Sequence, residues 1–191
     1  MDIRQIMDAS PVMPVLVIQR IEDAVPLAKA LYNGGLTVLE ITLRTPVALE
    51  AITAIKEQLP DAIVGAGTVI NAQTLAAAQQ AGSQFFVSPG VNEGLLAAAK
   101  DSDIPLLPGV ATPSEAMKLY ELGYSALKFF PAEAAGGTPM LKSIGGPLPQ
   151  LAFCPTGGVN PENAPSYLAL PNVLCVGGSW MAPEKLIREQ Q

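Results

Sequence analysis

The chain has no histidine among its 191 residues. That removes the side chain most often used as a general base near neutral pH, and the commonest metal ligand. Chemistry must therefore run on Lys, Glu, Asp, Arg, Tyr, Cys or backbone groups. Cysteine is nearly missing too. Cys154 and Cys175 lie in separate apolar runs without metal-ligand spacing, and read as buried free thiols rather than a disulfide. No metal centre and no cofactor are expected. Positive charge is scarce: 11 basic residues face 17 acidic ones, for a net charge of −6 and a pI near 4.6. This argues against nucleic acid or an anionic membrane surface as partner. No apolar run approaches the roughly 20 residues needed to span a bilayer. The first ten residues carry Asp2, Arg4 and Asp8 and no secretory core, so a cytoplasmic protein is expected. What the chain does have is apolar content, 49% of residues, enough for a large core and too much for disorder.

Short apolar runs alternate with helix-like stretches. Strands are predicted near Pro14–Ile18, Val38–Leu43, Ile63–Val69, Phe85–Ser88, Pro105–Pro108, Ala126–Phe130, Ala152–Pro155 and Val173–Val176. These eight runs start 20 to 26 residues apart, about one strand–helix unit each. Helix starts are marked by Thr45-Pro46, by Asn71 and Asn92, by the capping box Thr112-Pro113-Ser114-Glu115 and by Asn160-Pro161-Glu162. Asn33-Gly34-Gly35 and Gly82 are stops. Eight such units point to a single (β/α)8 barrel domain, α/β in class, over residues 1–191, with a doubly wound open sheet as the alternative. Pro183–Gln191 could form about two turns of an eighth helix, which is short for closing the ring.

One lysine stands out. Lys128 lies within the apolar run Ala126–Phe130, where a charge is expensive unless used. Desolvation penalises a charged amine, and a free amine attacks carbonyls. The plainer reading is an outward lysine with its stem laid on a helix. Side-chain parity bears on the choice. In the second run Glu40, Thr42 and Arg44 share one face, while Leu39, Ile41 and Leu43 share the other. The apolar face should meet the outer helices and the polar face should point inward. Lys128 shares parity with Ala126 and Phe130; pointing inward, it can meet Glu40. A buried Glu40–Arg44 ion pair is the structural alternative. Thr68 and Thr156 end the third and seventh runs, as hydroxyl donors or as caps. Thr156-Gly157-Gly158 and Gly177-Gly178-Ser179 end the last two, where a barrel commonly holds a phosphate on backbone N–H groups.

Five segments together resemble the 2-keto-3-deoxy-6-phosphogluconate (KDPG) aldolase / 4-hydroxy-2-oxoglutarate (KHG) aldolase family. They are Leu39-Glu40-Ile41-Thr42-Leu43-Arg44-Thr45, Val64-Gly65-Ala66-Gly67-Thr68-Val69, Lys128-Phe129-Phe130-Pro131-Ala132-Glu133, Phe153-Cys154-Pro155-Thr156-Gly157-Gly158 and Gly177-Gly178-Ser179-Trp180. The resemblance runs from about residue 10 to 182, in the family's order and spacing. It implies a class I aldolase on a (β/α)8 TIM barrel, assembled as a homotrimer and free of metal. Lys128 would form the Schiff base with a small 2-keto-4-hydroxy acid, Glu40 would move protons, and Arg44 would hold the carboxylate. Thr68, Pro89, Phe130 and Thr156 fall on substrate-pocket positions; Gly157, Gly158, Gly178 and Ser179 fall on phosphate-binding positions. Family members usually continue through a full final helix, so a short or truncated one is expected here. A phosphosugar isomerase or epimerase, or a non-catalytic phosphometabolite-binding barrel, would use the same fold and phosphate site.

Overall fold

The computed structural model describes residues 1–188. Its strands are β1 (Val12–Leu16), β2 (Val38–Thr42), β3 (Ile63–Gly67), β4 (Phe86–Val87), β5 (Leu106–Leu107), β6 (Gly109–Val110), β7 (Ala126–Phe129), β8 (Ala152–Pro155) and β9 (Val176–Gly178). Among the described residues all strand pairs are parallel. They run as β5-β4-β3-β2-β1-β9 and as β6-β7-β8. Two seams join these arcs. Pro108 separates β5 from β6 within one continuous segment; proline has no N–H to donate to a ladder. Its carbonyl still accepts from the Lys128 N–H at 2.9 Å. On the other side, bridges Phe153↔Val173 and Thr156↔Gly177 connect β8 to the β9 segment. The arcs therefore close into a barrel of eight staves, the fifth of them broken.

Between the strands lie α2 (Ile21–Asn33), α3 (Ala48–Gln58), α4 (Ala72–Gln80), α5 (Glu93–Lys100), α6 (Pro113–Glu121), α7 (Gly137–Gly145) and α8 (Ala164–Leu168), with α9 (Glu184–Arg188) after β9. Leu39 and Ile41 of β2 pack outward with Ala48, Ile52 and Ile55 of α3. Leu127 and Phe129 of β7 do the same against Ala116, Leu119 and Leu141. A third apolar group fills the lower interior: Met13, Val38, Phe85, Val87, Leu107, Ala126, Cys154 and Cys175, drawn from seven staves. Ile6 and Met7 of α1 (Ile3–Asp8) plug it from below. Asp2 and Gln5 cap α1 reciprocally. Arg4 ties the plug down, donating to the carbonyls of Ser125 at 3.0 Å and Gln150 at 2.8 Å.

Several local expectations shift. The plug helix has too few residues to show a helical period; its mark in the sequence is the capping box Asp2-Ile3-Arg4-Gln5. The first strand starts two residues early, and the last one is Val176–Gly178 rather than Val173–Val176, since Val173 makes only its single bridge. Thr45-Pro46 does not start a helix: α3 begins at Ala48, and the Thr45 hydroxyl instead donates to the Ile18 carbonyl at 2.6 Å. Asn160-Pro161 opens a turn, with α8 following from Asn163; Asn160 Oδ1 accepts from the N–H groups of Glu162 and Asn163. Asn71, Asn92 and Thr112 cap as expected. The predicted closing helix Pro183–Gln191 is described only as Glu184–Arg188; its last three residues lie outside the described part.

Candidate active site

Side chains alternate along a strand, so the residue two positions beyond each lower-interior side chain also faces inward, one level higher. Met13 is followed by Val15, Val38 by Glu40, Ala126 by Lys128, Cys154 by Thr156, Leu107 by Gly109, Val87 by Pro89 and Cys175 by Gly177. The lower layer is apolar. The upper layer holds an acid, an amine, a hydroxyl, a proline, two glycines and one valine.

Glu40 is 2% exposed and Lys128 4%. Lys128 Nζ stands 3.6 Å from Glu40 Oε1, close enough for an ion pair and too far for a hydrogen bond. Glu40 Oε1 has no hydrogen-bond partner. Buried ion pairs repay their desolvation only with good geometry and satisfied lone pairs. This one has neither, so it is poor as a structural device, and such groups concentrate at reactive sites. Lys128 Nζ also lies 5.3 Å from the centre of the Phe130 ring, within cation–π range. Glu40 owes its position to Gly67 on the neighbouring strand: a Cβ there would fall 2.0 Å from Glu40 Oε1.

The pair differs from the structural alternative drawn from the sequence. Glu40 meets Lys128, and Arg44 lies past the end of β2, exposed at the rim. Arg44 Nε donates to Thr68 Oγ1 at 3.1 Å. Thr68 holds φ at +60°, an uncommon conformation for a β-branched residue that turns its hydroxyl toward Arg44. Thr42, fully buried, donates to the Leu16 carbonyl at 2.9 Å and serves the β1–β2 junction. Pro89 is pressed against β6: a Cβ on Gly109 would lie 2.4 Å from the Pro89 carbonyl. Thr156 is 7% exposed, and Gly177 makes room for its hydroxyl, which a Cβ would approach to 2.2 Å.

The Thr156-Gly157-Gly158 loop is tied by its carbonyls. Thr156 O accepts from Ala132 N at 2.8 Å and Gly157 O from Glu133 N at 3.0 Å, while Gly158 O accepts from Asn163 Nδ2 at 3.0 Å. In a planar trans peptide the C=O and the following N–H point opposite ways. The N–H groups of Gly157, Gly158 and Val159 therefore aim away from these anchors, as an anion-binding nest requires. Gly157 and Gly158 sit at φ +101° and +78°, where only glycine is unstrained. Gly178 is buried beneath Trp180, whose ring a Cβ would strike at 1.8 Å, and Ser179 is exposed beside it. Ser179 also borders a cavity of about 580 Å³ between β1, α2 and α9.

Both cysteines are free and buried; contact with Cys154 and burial push the Cys175 thiol well above its ordinary range. Among the described residues no group of three or more Cys, Asp or Glu side chains converges as a metal site would need. Nor, among them, is any helix long and apolar enough to cross a membrane. Sequence reasoning assigned no role to Gly67 or Tyr167. Gly67 lay within a quoted motif; Tyr167 carried no signal.

A lysine amine and a carboxylate buried at the C-terminal end of a closed parallel barrel, beside a glycine loop whose N–H groups aim away from its anchors, define a barrel enzyme of the lysine-nucleophile type. The model of the KDPG and KHG aldolases matches residues 3–191. The chain is 54% identical to the KHG/KDPG aldolase of Escherichia coli over 178 residues, 93% of this chain and 84% of that protein. It is 56% identical to the 2-dehydro-3-deoxy-phosphogluconate aldolase of Zymomonas mobilis, covering 95% and 87%. The crystal structure of KDPG aldolase from Legionella pneumophila, holding pyruvate as a covalent carbinolamine, superposes with a TM-score of 0.95 at 53% identity, over 97% of this chain and 90% of that one. This chain belongs to the KDPG/KHG aldolase family.

Proposed function

We infer that the protein is a class I aldolase. It cleaves 2-dehydro-3-deoxy-6-phosphogluconate to pyruvate and glyceraldehyde 3-phosphate, and it also splits the shorter 4-hydroxy-2-oxoglutarate to pyruvate and glyoxylate. The observation that carries the reading is the buried Lys128–Glu40 pair, 3.6 Å apart and not hydrogen-bonded. Lys128 Nζ attacks the C2 ketone, and loss of water leaves a protonated imine. Removal of the C4 hydroxyl proton breaks the C3–C4 bond, whose electrons flow into the imine. The aldehyde departs and an enamine of pyruvate stays on Lys128. Protonation at C3 and hydrolysis by water release pyruvate and the free amine. Glu40 serves the proton transfers, through a water. Arg44 takes the substrate carboxylate as a bidentate partner, a geometry that lysine cannot copy. Thr68, Pro89, Phe130 and Thr156 wall the pocket, and Gly157, Gly158, Gly178 and Ser179 receive the phosphate.

Treatment with pyruvate and borohydride, followed by peptide mass mapping, tests this. The adduct is expected on Lys128 alone. Lys29, Lys56, Lys100, Lys118, Lys142 and Lys185 all lie on helices. Burial lowers the Lys56 amine, but Lys56 Nζ is bound to Gln84 Oε1 at 2.7 Å. An adduct on any of these six, or none, overturns the assignment.

The same reading extends to one barrel domain working in the cytoplasm as a homotrimer, each subunit holding a complete site. Met117, Tyr120 and Leu122 are large exposed apolar side chains at the end of α6 and favour burial between subunits. Light scattering on a size-exclusion column is expected to give about three times 19.9 kDa; a stable, active monomer would refute the assembly and leave the catalytic assignment intact.

A further inference from the structure

The Gly157-Gly158 loop is held by more than its carbonyl anchors. Tyr167, on α8, is fully buried, and its hydroxyl donates a hydrogen bond to Glu133 Oε1. Glu133 follows the β7 segment and its own N–H holds the Gly157 carbonyl. Its stem lies flat on Gly158, where a Cβ would fall 2.6 Å from Glu133 Cγ. Gly137 closes the pair from the other side: a Cβ there would lie 3.3 Å from Tyr167 Oη and 3.4 Å from Glu133 Oε1. Glu133 thus meets the glycine loop through both its backbone and its side chain, and a buried phenol fixes that side chain.

The electrostatics give the arrangement a purpose. A carboxylate next to an anion nest repels a phosphate unless it is turned away and its charge is partly satisfied. A tyrosine hydroxyl supplies both. Burial and the adjacent Glu133 carboxylate hold that hydroxyl protonated far above the ordinary tyrosine range, so it remains a donor at any working pH. Ordinary packing would not need the bond: a phenylalanine would fill the same volume.

We propose that Tyr167 and Glu133 are positioning residues for the phosphate nest, and that they set the preference for phosphorylated over unphosphorylated 2-keto-4-hydroxy acids without touching either substrate. The proposal rests on the phosphate being received at Gly157 and Gly158. Tyr167 locks Glu133; Glu133 holds the Gly157 carbonyl and covers Gly158; the nest N–H groups stay aimed. Lys128 and Glu40 lie outside this chain of contacts.

The test compares KM and kcat for 2-dehydro-3-deoxy-6-phosphogluconate and for 4-hydroxy-2-oxoglutarate in wild type, Tyr167→Phe, Glu133→Gln, Glu133→Ala and Ser179→Ala. Tyr167→Phe keeps the ring and removes one hydrogen bond to a charged group. It is expected to raise KM for the phosphorylated substrate roughly tenfold, the scale of such a bond. Its kcat and both constants for the unphosphorylated substrate should stay within about twofold. Glu133→Gln keeps an acceptor for the phenol and should lie nearer wild type than Glu133→Ala. Ser179→Ala, on the second of the two phosphate-binding segments and outside the Tyr167–Glu133 contacts, reports on the phosphate site independently. If Ser179→Ala weakens only the phosphorylated substrate while Tyr167→Phe weakens both substrates alike or neither, the positioning role is wrong and the phosphate site stands. If Ser179→Ala fails to separate the substrates and inorganic phosphate does not compete with the phosphorylated one, the phosphate site is misplaced and the positioning role falls with it.

Discussion

The two ends of this barrel are built from the same strands and obey opposite rules. At the lower end Met13, Val38, Val87, Leu107, Ala126, Cys154 and Cys175 fill the interior, and Ile6 and Met7 seal it. Two residues further along the same strands stand Glu40, Lys128, Thr156 and Pro89, with Gly67, Gly109 and Gly177 leaving room around them. At the lower end Arg4 reaches two carbonyls and the Ser125 hydroxyl, and the buried group left without a hydrogen bond is a neutral one, the Ser83 hydroxyl. At the upper end Glu40 Oε1 is buried without a hydrogen bond. Stability is concentrated below and reactivity above, which is the division expected where loops and strand ends carry chemistry on a packed scaffold.

Substitutions can break this contrast, beginning with the largest effect. Lys128→Met removes the proposed nucleophile and is expected to lower kcat/KM by roughly 10⁴-fold or more, with circular dichroism showing the fold retained. Glu40→Gln should reduce turnover by roughly 10²–10⁴-fold and slow exchange of the pyruvate methyl protons in deuterated water; near-normal exchange and cleavage would make Glu40 merely structural. Gly67→Ala touches no substrate, yet its Cβ would meet Glu40 Oε1 at 2.0 Å. Displacing the carboxylate by about 1 Å should lower kcat by roughly 10²-fold, with imine trapping on Lys128 preserved.

At the lower end the signs reverse. Arg4→Met removes charged donors to two carbonyls and is expected to lower stability by about 1.5–3 kcal/mol, read from denaturant midpoints, with kcat within about twofold of wild type. A loss of turnover without a loss of stability would contradict the division of labour. The smallest effect belongs to a cap at the upper rim that takes no part in chemistry. The Ala111 N–H, and then the Thr112 hydroxyl and N–H, hold the Glu115 carboxyl below its ordinary range. A depressed carboxylate contributes stability above its unfolded pKa of about 4.3 and loses it as pH falls through the lower folded value. Glu115→Gln should therefore cost under about 1 kcal/mol at pH 7, and the gap to wild type should close in acid.

Much of the site was legible along the chain because parity converts position into direction. Glu40 and Thr42 alternate with Leu39 and Ile41, and Lys128 alternates with Leu127 and Phe129; once the outer helices claim the apolar set, the polar set must face in. Arg44 was harder. It continues the parity of Glu40 and Thr42, but β2 ends at Thr42, and the side chain turns to Thr68 at the rim. Thr45-Pro46 has the form of a helix start, yet a carbonyl on the neighbouring loop, Ile18 O, took the hydroxyl first. Local chemistry offered a cap and a tertiary partner outcompeted it.

The sequence by itself determined the strand–helix rhythm, the inward face of each long strand and, with no histidine available, the restriction of any chemistry to Lys, Glu, Asp, Arg, Tyr, Cys or backbone groups. These follow from period and composition, which are properties of neighbouring residues. Tertiary structure decided the closure through Pro108 and the Thr156↔Gly177 bridge, the pairing of Glu40 with Lys128, the need for glycine at position 67, and the contact between Tyr167 and Glu133. Each of these joins residues far apart in the chain. Their meeting depends on strand register and on the volume left between staves, and neither quantity is written in any local window of the sequence.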